Sequence, residues 1–377
     1  MKKMKLPRLP DWIPVTAGLL LLLAGGVMAV LGFGGKTSEW ENRNLAAAPG
    51  TVSMEKWTTD KETEEYLKDH VPLRQALVAV DSSVQQLTGR GSTLNDWYVA
   101  GAMVQRPVEA DDYALTLLER RLSRLGKLAD RNGVPWVVLS PETHGYLIRD
   151  RMNPMMASLY DQEESAMVLV EATGHRVAMP EVFTENPDTM YYRTDHHWTA
   201  AGAYQAYVAL GEALGYEPVP LEDFRVTEYP GFMGTTLSGT GLPPFWSDTL
   251  VCAEPDSPVK LTVIDNGEET VCDRLIFPEN AKIKDGYAVY LNGNHGKVII
   301  ERESAPEGTL IVFRDSFASC LLPMLSQHFR RVIAVDARYD SGVFSDALRM
   351  SDDTRAILYL YSLDSLVTDT EITKKAK

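Results

Sequence analysis

Apolar side chains recur at helical spacing in several parts of the chain. One set of leucines follows intervals of three and four residues, at Leu115, Leu118, Leu122, Leu125 and Leu128. This spacing predicts an amphipathic helix, and Asn132-Gly133 predicts its left-handed C-cap. A second helix is predicted to start after the N-cap Thr199 and to end at Gly215. A helical pattern also covers about Lys61 to Leu87.

Short apolar runs alternate with these helical patterns. They predict strands at Trp136 to Leu139, Thr309 to Phe313, Val332 to Val335 and Ala356 to Tyr361, with helices at Phe317 to His328 and about Phe344 to Met350. An alternation of helices with buried apolar strands indicates an α/β fold with parallel strands. Residues 222–301 are richer in Gly, Pro and short alternating runs, which predicts a β-rich insertion.

The N-terminus carries a targeting pattern. Four basic residues, Lys2, Lys3, Lys5 and Arg8, precede residues 12–34, which contain no charged residue. About 20 apolar residues cross a bilayer, and the basic flank stays in the cytoplasm. The alternative is a cleaved signal peptide, for which Val27-Met28-Ala29 is a poor cleavage site. Both interpretations place the rest of the chain outside the cytoplasm.

These boundaries predict four segments. They are a cytoplasmic N-terminus (1–11), a transmembrane anchor (12–34), a membrane-proximal helical segment (35–106) and a catalytic domain (107–377) that contains the insertion at about 222–301.

Charge and cysteine content narrow the function classes. The net charge of −15 and the pI near 5.0 argue against a nucleic-acid partner, because phosphate binding needs a basic surface. Of the three cysteines, Cys252 and Cys272 either pair across neighbouring strands or stay free, and Cys320 is left over. No zinc-like cysteine spacing is present, and no metal or cofactor is expected.

The segment from Tyr191 to Thr199 concentrates residues that can carry chemistry. Asp195 stands two residues before His197, and a carboxylate in that position can orient an imidazole and stabilise its charged form. Alternatives are a helix-capping Asp195 beside polar loop histidines, and a metal site. The letters Asp-His-His also occur in a manganese-dependent phosphoesterase family, whose further N-terminal aspartate motifs are missing here.

A second candidate is Ser316, at the junction between the apolar strand ending near Phe313 and the following helix. Functional groups of α/β sheets lie at the carboxyl ends of strands. The alternative is that Asp315 or Ser316 only caps the helix. Together, Ser316, His197 and Asp195 supply the nucleophile, base and orienting carboxylate of covalent acyl transfer.

A Gly-containing turn provides candidate oxyanion donors. The Gly293 N–H and the Asn294 amide precede the run from Lys297 to Ile300, although a plain β-turn explains them equally well. Arg314 is a further candidate for oxyanion or substrate binding.

At the level of these motifs the chain resembles the DHHW protein family, named for the tetrad that stands here at Asp195 to Trp198. The likeness is carried by Asn42 to Leu45, Tyr66 to Arg74, the Pro141 region, Tyr192 to Gly202, Gly293-Asn294, Asp315 to Pro323 and Asp336 to Tyr339. That family is related to the SGNH-like domains of alginate O-acetylation proteins. The resemblance implies that Asp195, His197 and Ser316 form a triad. This chain has Arg314-Asp315 where the relatives have a glycine and a hydroxyl residue.

The sequence and the resemblance together predict a three-layer, SGNH/flavodoxin-like α/β domain with a mostly parallel sheet, tethered by one N-terminal transmembrane helix. The expected function is O-acetylation of a cell-envelope or exopolysaccharide by a bacterial extracytoplasmic enzyme. Expected partners are the polysaccharide acceptor, the lipid bilayer and a membrane-bound O-acyltransferase. The alternatives are a carbohydrate acetylesterase with the same triad, and a non-catalytic polysaccharide-binding or assembly protein.

Overall fold

The computed structural model describes residues 12–31, 35–38, 43–48, 61–88, 93–94, 97–99, 103–105, 107–243, 246–283 and 285–377. The predicted cytoplasmic residues 1–11 lie outside this set, as do parts of the predicted anchor and membrane-proximal segments. The chain forms two compact units, Met1–Val84 with Gly241–Pro243, and Gln85–Thr240 with Pro244–Lys377.

The strands are, in chain order, β1 Thr37–Ser38, β2 Arg43–Asn44, β3 Thr93–Leu94, β4 Trp97–Val99, β5 Met103–Gln105, β6 Trp136–Leu139, β7 Arg225–Phe232, β8 Asp248–Glu254, β9 Lys260–Asp265, β10 Glu268–Cys272, β11 Lys297–Glu301, β12 Thr309–Arg314, β13 Arg331–Asp336 and β14 Thr354–Leu360.

The α-helices are α1 Trp12–Val30, α2 Lys61–Asp69, α3 Arg74–Leu87, α4 Asp112–Arg131, α5 His144–Leu147, α6 Pro154–Ala157, α7 Asp161–Glu171, α8 Val182–Glu185, α9 Pro187–Met190, α10 Ala200–Leu214, α11 Thr235–Thr240, α12 Leu322–Leu325, α13 Phe344–Leu348, α14 Leu363–Thr368 and α15 Thr370–Lys375. Single 3₁₀ turns lie at Arg149–Arg151, Ser158–Tyr160, Leu221–Asp223, Pro278–Lys282, Gly286–Val289 and Ser316–Cys320.

The first unit contains α1, α2, the β1–β2 pair and most of α3. The helical pattern predicted over about Lys61 to Leu87 forms two helices in the structure, since α2 ends at Asp69 and α3 starts at Arg74. Pro72 in the break has no N–H to continue the helix, and Leu73 has a left-handed φ of 59°. Within the described part of the chain, no helix is both long enough and apolar enough to cross a membrane.

A seven-stranded sheet of order β10-β9-β11-β13-β12-β14-β6 organises the second unit. The pairs β13–β12, β12–β14 and β14–β6 are parallel, and the remaining three pairs are antiparallel. Since β9 is antiparallel to β11, which is itself antiparallel to β13, five of the seven strands run in one direction. The predicted α/β fold with a mostly parallel sheet is confirmed.

Alternate side chains of the central strands enter two different cores. Leu310 and Val312 of β12 pack in one core with α10 and α12, whereas Ile311 and Phe313 pack in the other with α4, α7, α13 and α14. This follows from the two-residue period of a strand, and the fully buried β12 is therefore apolar from Leu310 to Phe313. Helices on both faces of the sheet make the unit three-layered.

Local signals placed the ends of α4 and α10 correctly. Asp111 caps α4 by accepting from the Ala114 N–H, and Gly133 follows its end with a φ of 64°. Thr199 caps α10 by accepting from Gly202 N–H, and Gly215 ends it in the left-handed conformation. The helix predicted from Phe317 to His328 is wrong, because the structure has the 3₁₀ turn Ser316–Cys320 followed by the short α12.

The segment 222–301 divides between two sheets. Strands β7 and β8 form a separate antiparallel pair, whereas β9, β10 and β11 extend the central sheet. Cys252 and Cys272 lie in these different sheets, and all three cysteines have free thiols. The cross-strand pairing of Cys252 with Cys272 is therefore not formed.

Candidate active site

A closed loop presents the Asp-His-His-Trp segment at the start of α10. Tyr191 and Trp198 form an antiparallel bridge, the Tyr192 N–H donates to the His197 carbonyl at 3.1 Å, and the Thr199 N–H donates to the Met190 carbonyl at 2.8 Å. These bonds fold the segment back on itself, so that Asp195 and His197 point to one side within a fixed backbone.

Asp195 is 1% exposed, and four hydrogen bonds occupy its carboxylate. One oxygen, Oδ1, accepts from the His197 backbone N–H at 3.0 Å and from its ring at 2.5 Å. The other, Oδ2, accepts from the Thr235 N–H at 2.8 Å and from its hydroxyl at 3.0 Å. Burial opposes ionisation, but the electrostatic interactions with His197 and His196 and the hydrogen bonds from His197 outweigh it, so the pKa of Asp195 lies well below its usual value. The carboxylate is therefore ionised at neutral pH.

Ser316 occupies the turn that follows β12. The neighbouring Asp315 is the capping residue, because its Oδ1 accepts from the Phe317 N–H at 3.0 Å. Its Oδ2 accepts from the N–H and the hydroxyl of Ser362, at 2.8 and 2.7 Å, beyond the end of β14. Asp315 alone therefore caps the 3₁₀ turn Ser316–Cys320. The hydroxyl of the half-buried Ser316 can bond to another partner.

The structure brings the three predicted residues into one chain of hydrogen bonds. His197 donates from Nδ1 to Asp195, since an ionised carboxylate only accepts. The opposite ring nitrogen, Nε2, then accepts from the Ser316 hydroxyl at 2.8 Å. Each distance lies within hydrogen-bond reach, and the order is nucleophile, base and orienting carboxylate.

Trp198 ties the two motifs together. Its indole N–H is buried and lies 3.0 Å from the Phe317 carbonyl and 2.9 Å from the Cys320 thiol. Since Phe317 and Cys320 belong to the turn that carries Ser316, this contact fixes the distance between that turn and the histidine loop. The fourth residue of the tetrad therefore positions the other groups.

Adjacent side chains of an extended loop tend to face opposite ways, but the rings of His196 and His197 are neighbours with centroids 4.0 Å apart. Its Nδ1 lies 3.2 Å from the Thr235 hydroxyl. Burial and the charge of His197 lower the pKa of His196 to about 4, so this ring is neutral at pH 7. It takes no part in the bond to Ser316.

The candidate oxyanion donors have different surroundings. The Gly293 N–H donates to the Tyr290 carbonyl at 3.0 Å and is therefore used inside its own turn, as the β-turn alternative expected. Asn294 follows it and is exposed.

Arg314 is fully buried beneath the Ser316 turn. Its Nη1 donates to the Ser319 hydroxyl at 3.1 Å and lies 4.0 Å from the Asp336 carboxylate. Arg314 therefore supports the backbone that carries Ser316.

Two further residues close around Asp195, and sequence patterns did not reveal them. Thr235 binds the carboxylate across a separation of 40 residues. Gly234 passes so close that a Cβ at this position would stand 2.2 Å from the Asp195 Cβ and 2.5 Å from the Thr194 carbonyl. A glycine next to a hydroxyl residue is too common a pair to be a signal by itself.

Asp248 holds the same loop from the β8 side. Its carboxylate accepts from the backbone N–H groups of Arg193 and Thr194 at 3.2 and 2.8 Å, and from the Thr194 hydroxyl at 2.6 Å. The strand pair β7–β8 thereby fixes the residue that precedes Asp195.

Asp195, His196 and His197 are also the group of potential metal ligands found among the described residues, with ligand atoms within 4.8 Å of one another. The four hydrogen bonds to Asp195 already occupy both carboxylate oxygens, and Nε2 of His197 faces Ser316. A metal ion would have to displace these bonds, so the donor set fits proton transfer better than metal binding.

Two family models match the chain. The DHHW protein model matches residues 181–335, and the model of the SGNH hydrolase-like domain of the acetyltransferase AlgX matches residues 97–231. These matches confirm the resemblance to the DHHW family and its relation to SGNH-like acetyltransferase domains. No curated protein sequence matches the chain.

Solved structures share the fold at low sequence identity. A DHHW family protein from Eubacterium siraeum aligns with a TM-score of 0.63 and 17% identity, covering 75% of this chain and 96% of its own. The structure of Bacillus cereus PatB1 with a sulfonyl adduct aligns with a TM-score of 0.61 and 20% identity, covering 73% and 96%. The structural alignments show that this chain shares the fold of these two proteins.

Proposed function

We propose that this chain is a serine O-acyltransferase, in which Ser316, His197 and Asp195 form the catalytic triad and an envelope or extracellular polysaccharide is the acceptor. The observation that carries the proposal is the continuous hydrogen-bond chain from Ser316 Oγ through the His197 ring to Asp195. Support also comes from the match to the SGNH hydrolase-like acetyltransferase model. A carbohydrate acetylesterase would use the same three groups.

The first half of the proposed reaction makes an acyl-enzyme. Ser316 Oγ attacks the carbonyl carbon of an acyl ester donor while His197 Nε2 takes the hydroxyl proton. Asp195 stabilises the imidazolium that results. The bond to the leaving alkoxide then breaks, and His197 returns the proton to that oxygen. Ser316 is left as an acyl ester.

The second half transfers the acyl group. A carbohydrate hydroxyl attacks the acyl-Ser316 carbonyl and gives its proton to His197. The bond to Ser316 Oγ breaks, and His197 reprotonates that oxygen. The products are the carbohydrate ester and the free enzyme, so the two halves balance without a cofactor. With water as the acceptor, the same steps describe an esterase.

In both halves of the reaction, hydrogen-bond donors must stabilise the negative charge that develops on the carbonyl oxygen. The exposed Asn294 amide is the predicted side-chain donor that we retain for this role. The Gly293 N–H is committed to its turn, and the buried Arg314 acts through the backbone of the Ser316 turn.

Activated esters test the covalent step. Incubation with p-nitrophenyl acetate should release nitrophenol with an initial burst, and mass spectrometry should place the acetyl group on Ser316. A sulfonyl fluoride should modify the same residue, a reagent class suggested by the sulfonyl adduct in the PatB1 structure. Ser316→Ala should show neither adduct. Wild-type protein that forms no adduct with either reagent would contradict the proposal and favour a carbohydrate-binding role.

The acceptor separates the two enzyme activities. Adding an oligosaccharide to the acetylated enzyme should yield acetylated sugar from a transferase and only acetate from an esterase. Product analysis by mass spectrometry decides between them.

The proposed setting of the enzyme is the outer face of a cell membrane. Support comes from residues 12–34, which hold no charged residue and follow four basic residues. In this setting a multipass membrane-bound O-acyltransferase would deliver acyl groups across the bilayer. A C-terminal reporter that works only in the cytoplasm should be silent, and an active reporter would contradict the location.

A further inference from the structure

A small cavity of about 20 Å³ lies beside the candidate triad, at the carboxyl edge of the parallel strands. Its walls come from the segments that follow three adjacent strands: Pro141 to Gly145 after β6, Phe317 after β12, and Ser362 after β14. His196 closes the side nearest the triad. In open α/β sheets, ligands bind in the crevice outside the carboxyl ends of the strands.

His144 is the unusual residue in this wall. It is 4% exposed, and both of its ring nitrogens are buried without a hydrogen-bond partner among the described residues. Its Nε2 lies 3.5 Å from the Asp188 carboxylate, outside hydrogen-bond geometry. A buried polar group without a partner destabilises the folded state, so such groups normally meet water or a ligand.

The ring of His144 is held in place by its surroundings. It stacks on Tyr191, with ring centroids 5.2 Å apart and planes 11° apart. The preceding Thr143 caps α5 and donates to the buried Glu163 carboxyl group at 2.8 Å. Tyr191 belongs to the loop that carries Asp195 and His197, so the cavity and the triad share one rigid support.

The charged and polar groups that line the cavity indicate which kind of ligand it can bind. Burial lowers the pKa of His144 to about 4, so at neutral pH its ring offers one N–H donor and one acceptor, which matches a hydroxyl group. Glu142 and Asp364 also line the cavity, and no lysine or arginine does so within the described residues. The Glu142 carboxylate pairs with Arg176, which lies outside the lining, at 2.5 Å. The described lining itself offers no cation to an anionic ligand, which disfavours such a ligand.

We propose that this cavity is an acceptor subsite in which His144 hydrogen-bonds a hydroxyl group of an uncharged carbohydrate, adjacent to the hydroxyl that receives the acyl group. The proposal rests on the proposed function for the identity of the acceptor. Phe317 and His196, whose ring centroids lie 5.0 and 4.0 Å from that of His197, connect the subsite to the catalytic base. His144 is thus a residue for acceptor binding.

Acceptor kinetics provide the first test. With p-nitrophenyl acetate as donor and cellotetraose as acceptor, His144→Phe should raise the acceptor KM at least tenfold, because phenylalanine keeps the ring and removes both polar atoms. His144→Gln, which restores one donor and one acceptor, should recover most of the loss. The matched control is His175→Phe, whose ring stacks on Trp136 at the opposite end of β6, and its acceptor KM should equal that of the wild type.

Direct binding gives a readout that needs no turnover. Titration calorimetry of the full chain carrying Ser316→Ala should detect cellotetraose, and adding His144→Phe should weaken the dissociation constant at least tenfold. Tetragalacturonate, which is anionic, should bind more weakly than cellotetraose. Circular dichroism checks that each variant is folded.

The outcomes separate the two proposals. An acyl adduct on Ser316 together with unchanged cellotetraose affinity in His144→Phe would overturn the subsite and keep the enzyme. Cellotetraose binding that depends on His144, in a protein that forms no adduct, would keep the subsite and overturn the acyl transfer. Tighter binding of tetragalacturonate, or no oligosaccharide binding at all, would overturn the subsite.

Discussion

The Tyr287 ring lies flat against the imidazole of His197, with ring centroids 3.8 Å apart and an angle of 6° between the planes. Tyr287 belongs to the 3₁₀ turn Gly286–Val289 and is buried. The stacked ring forms one wall of the slot that holds the imidazole between Asp195 and Ser316. The geometry of the catalytic base His197 therefore depends on Tyr287, which is distant from it in sequence.

Replacing this wall should affect catalysis through the histidine. Tyr287→Leu should lower kcat for p-nitrophenyl acetate by about tenfold, equivalent to about 1.4 kcal/mol, because the imidazole gains freedom to turn away from Ser316. Tyr287→Phe keeps the stacked ring and should lose far less. Steady-state kinetics on both variants measure the effect, and equal losses would assign it to the hydroxyl group.

A glycine limits the space around the orienting carboxylate. In Gly234→Ala the new Cβ would stand 2.2 Å from the Asp195 Cβ and 2.5 Å from a backbone carbonyl, so the loop must move. We expect a loss of about 1–3 kcal/mol in unfolding free energy, as for other overpacked sites, and a large loss of esterase activity. Urea denaturation and p-nitrophenyl acetate hydrolysis measure these two quantities.

Thr235→Val is the matched comparison for that variant. It removes the hydroxyl donor to Asp195 but keeps the Thr235 backbone N–H, which lies 2.8 Å from the same oxygen. Its activity should therefore fall less than that of Gly234→Ala. The reverse order would show that the hydroxyl, and not the close backbone approach, sets the position of the carboxylate.

Local patterns in the sequence predicted those elements that depend on neighbouring residues. The apolar runs gave β6, β12, β13 and β14, and capping residues gave the ends of α4 and α10. Pairing between distant segments produces no local sequence pattern. The addition of β9, β10 and β11 to the central sheet was therefore not predicted. The same limit applies to the site, where Asp195, His197 and Ser316 were predicted and Thr235 and Tyr287 were not.

Glu163 should make stability depend on pH. This carboxyl group is fully buried, and burial raises its pKa to about 7 despite hydrogen bonds from Thr143 and the Val108 N–H. The folded state therefore binds a proton that the unfolded state releases above about pH 4.5. Stability from this group is fully present below that pH and is lost as the pH rises towards 7 and beyond, by up to about 3 kcal/mol.

Glu163→Gln removes the titrating group and retains a hydrogen-bond acceptor. The unfolding free energy of the wild type relative to this variant should fall between pH 5 and pH 8. Urea denaturation across that range measures the difference. A difference that stays constant with pH would show that Glu163 has the same proton affinity in both states.

The triad residues should act as a unit. Ser316→Ala and His197→Ala should each reduce kcat for p-nitrophenyl acetate by about 10³-fold or more, and the double variant should be hardly worse than either, because each change alone removes the nucleophilic step. Asp195→Ala should also lower stability, since four hydrogen bonds that close the loop end on its carboxylate. Additive losses in the double variant would mean that Ser316 and His197 serve separate steps, and the hydrogen bond between them would then have no role in acyl transfer.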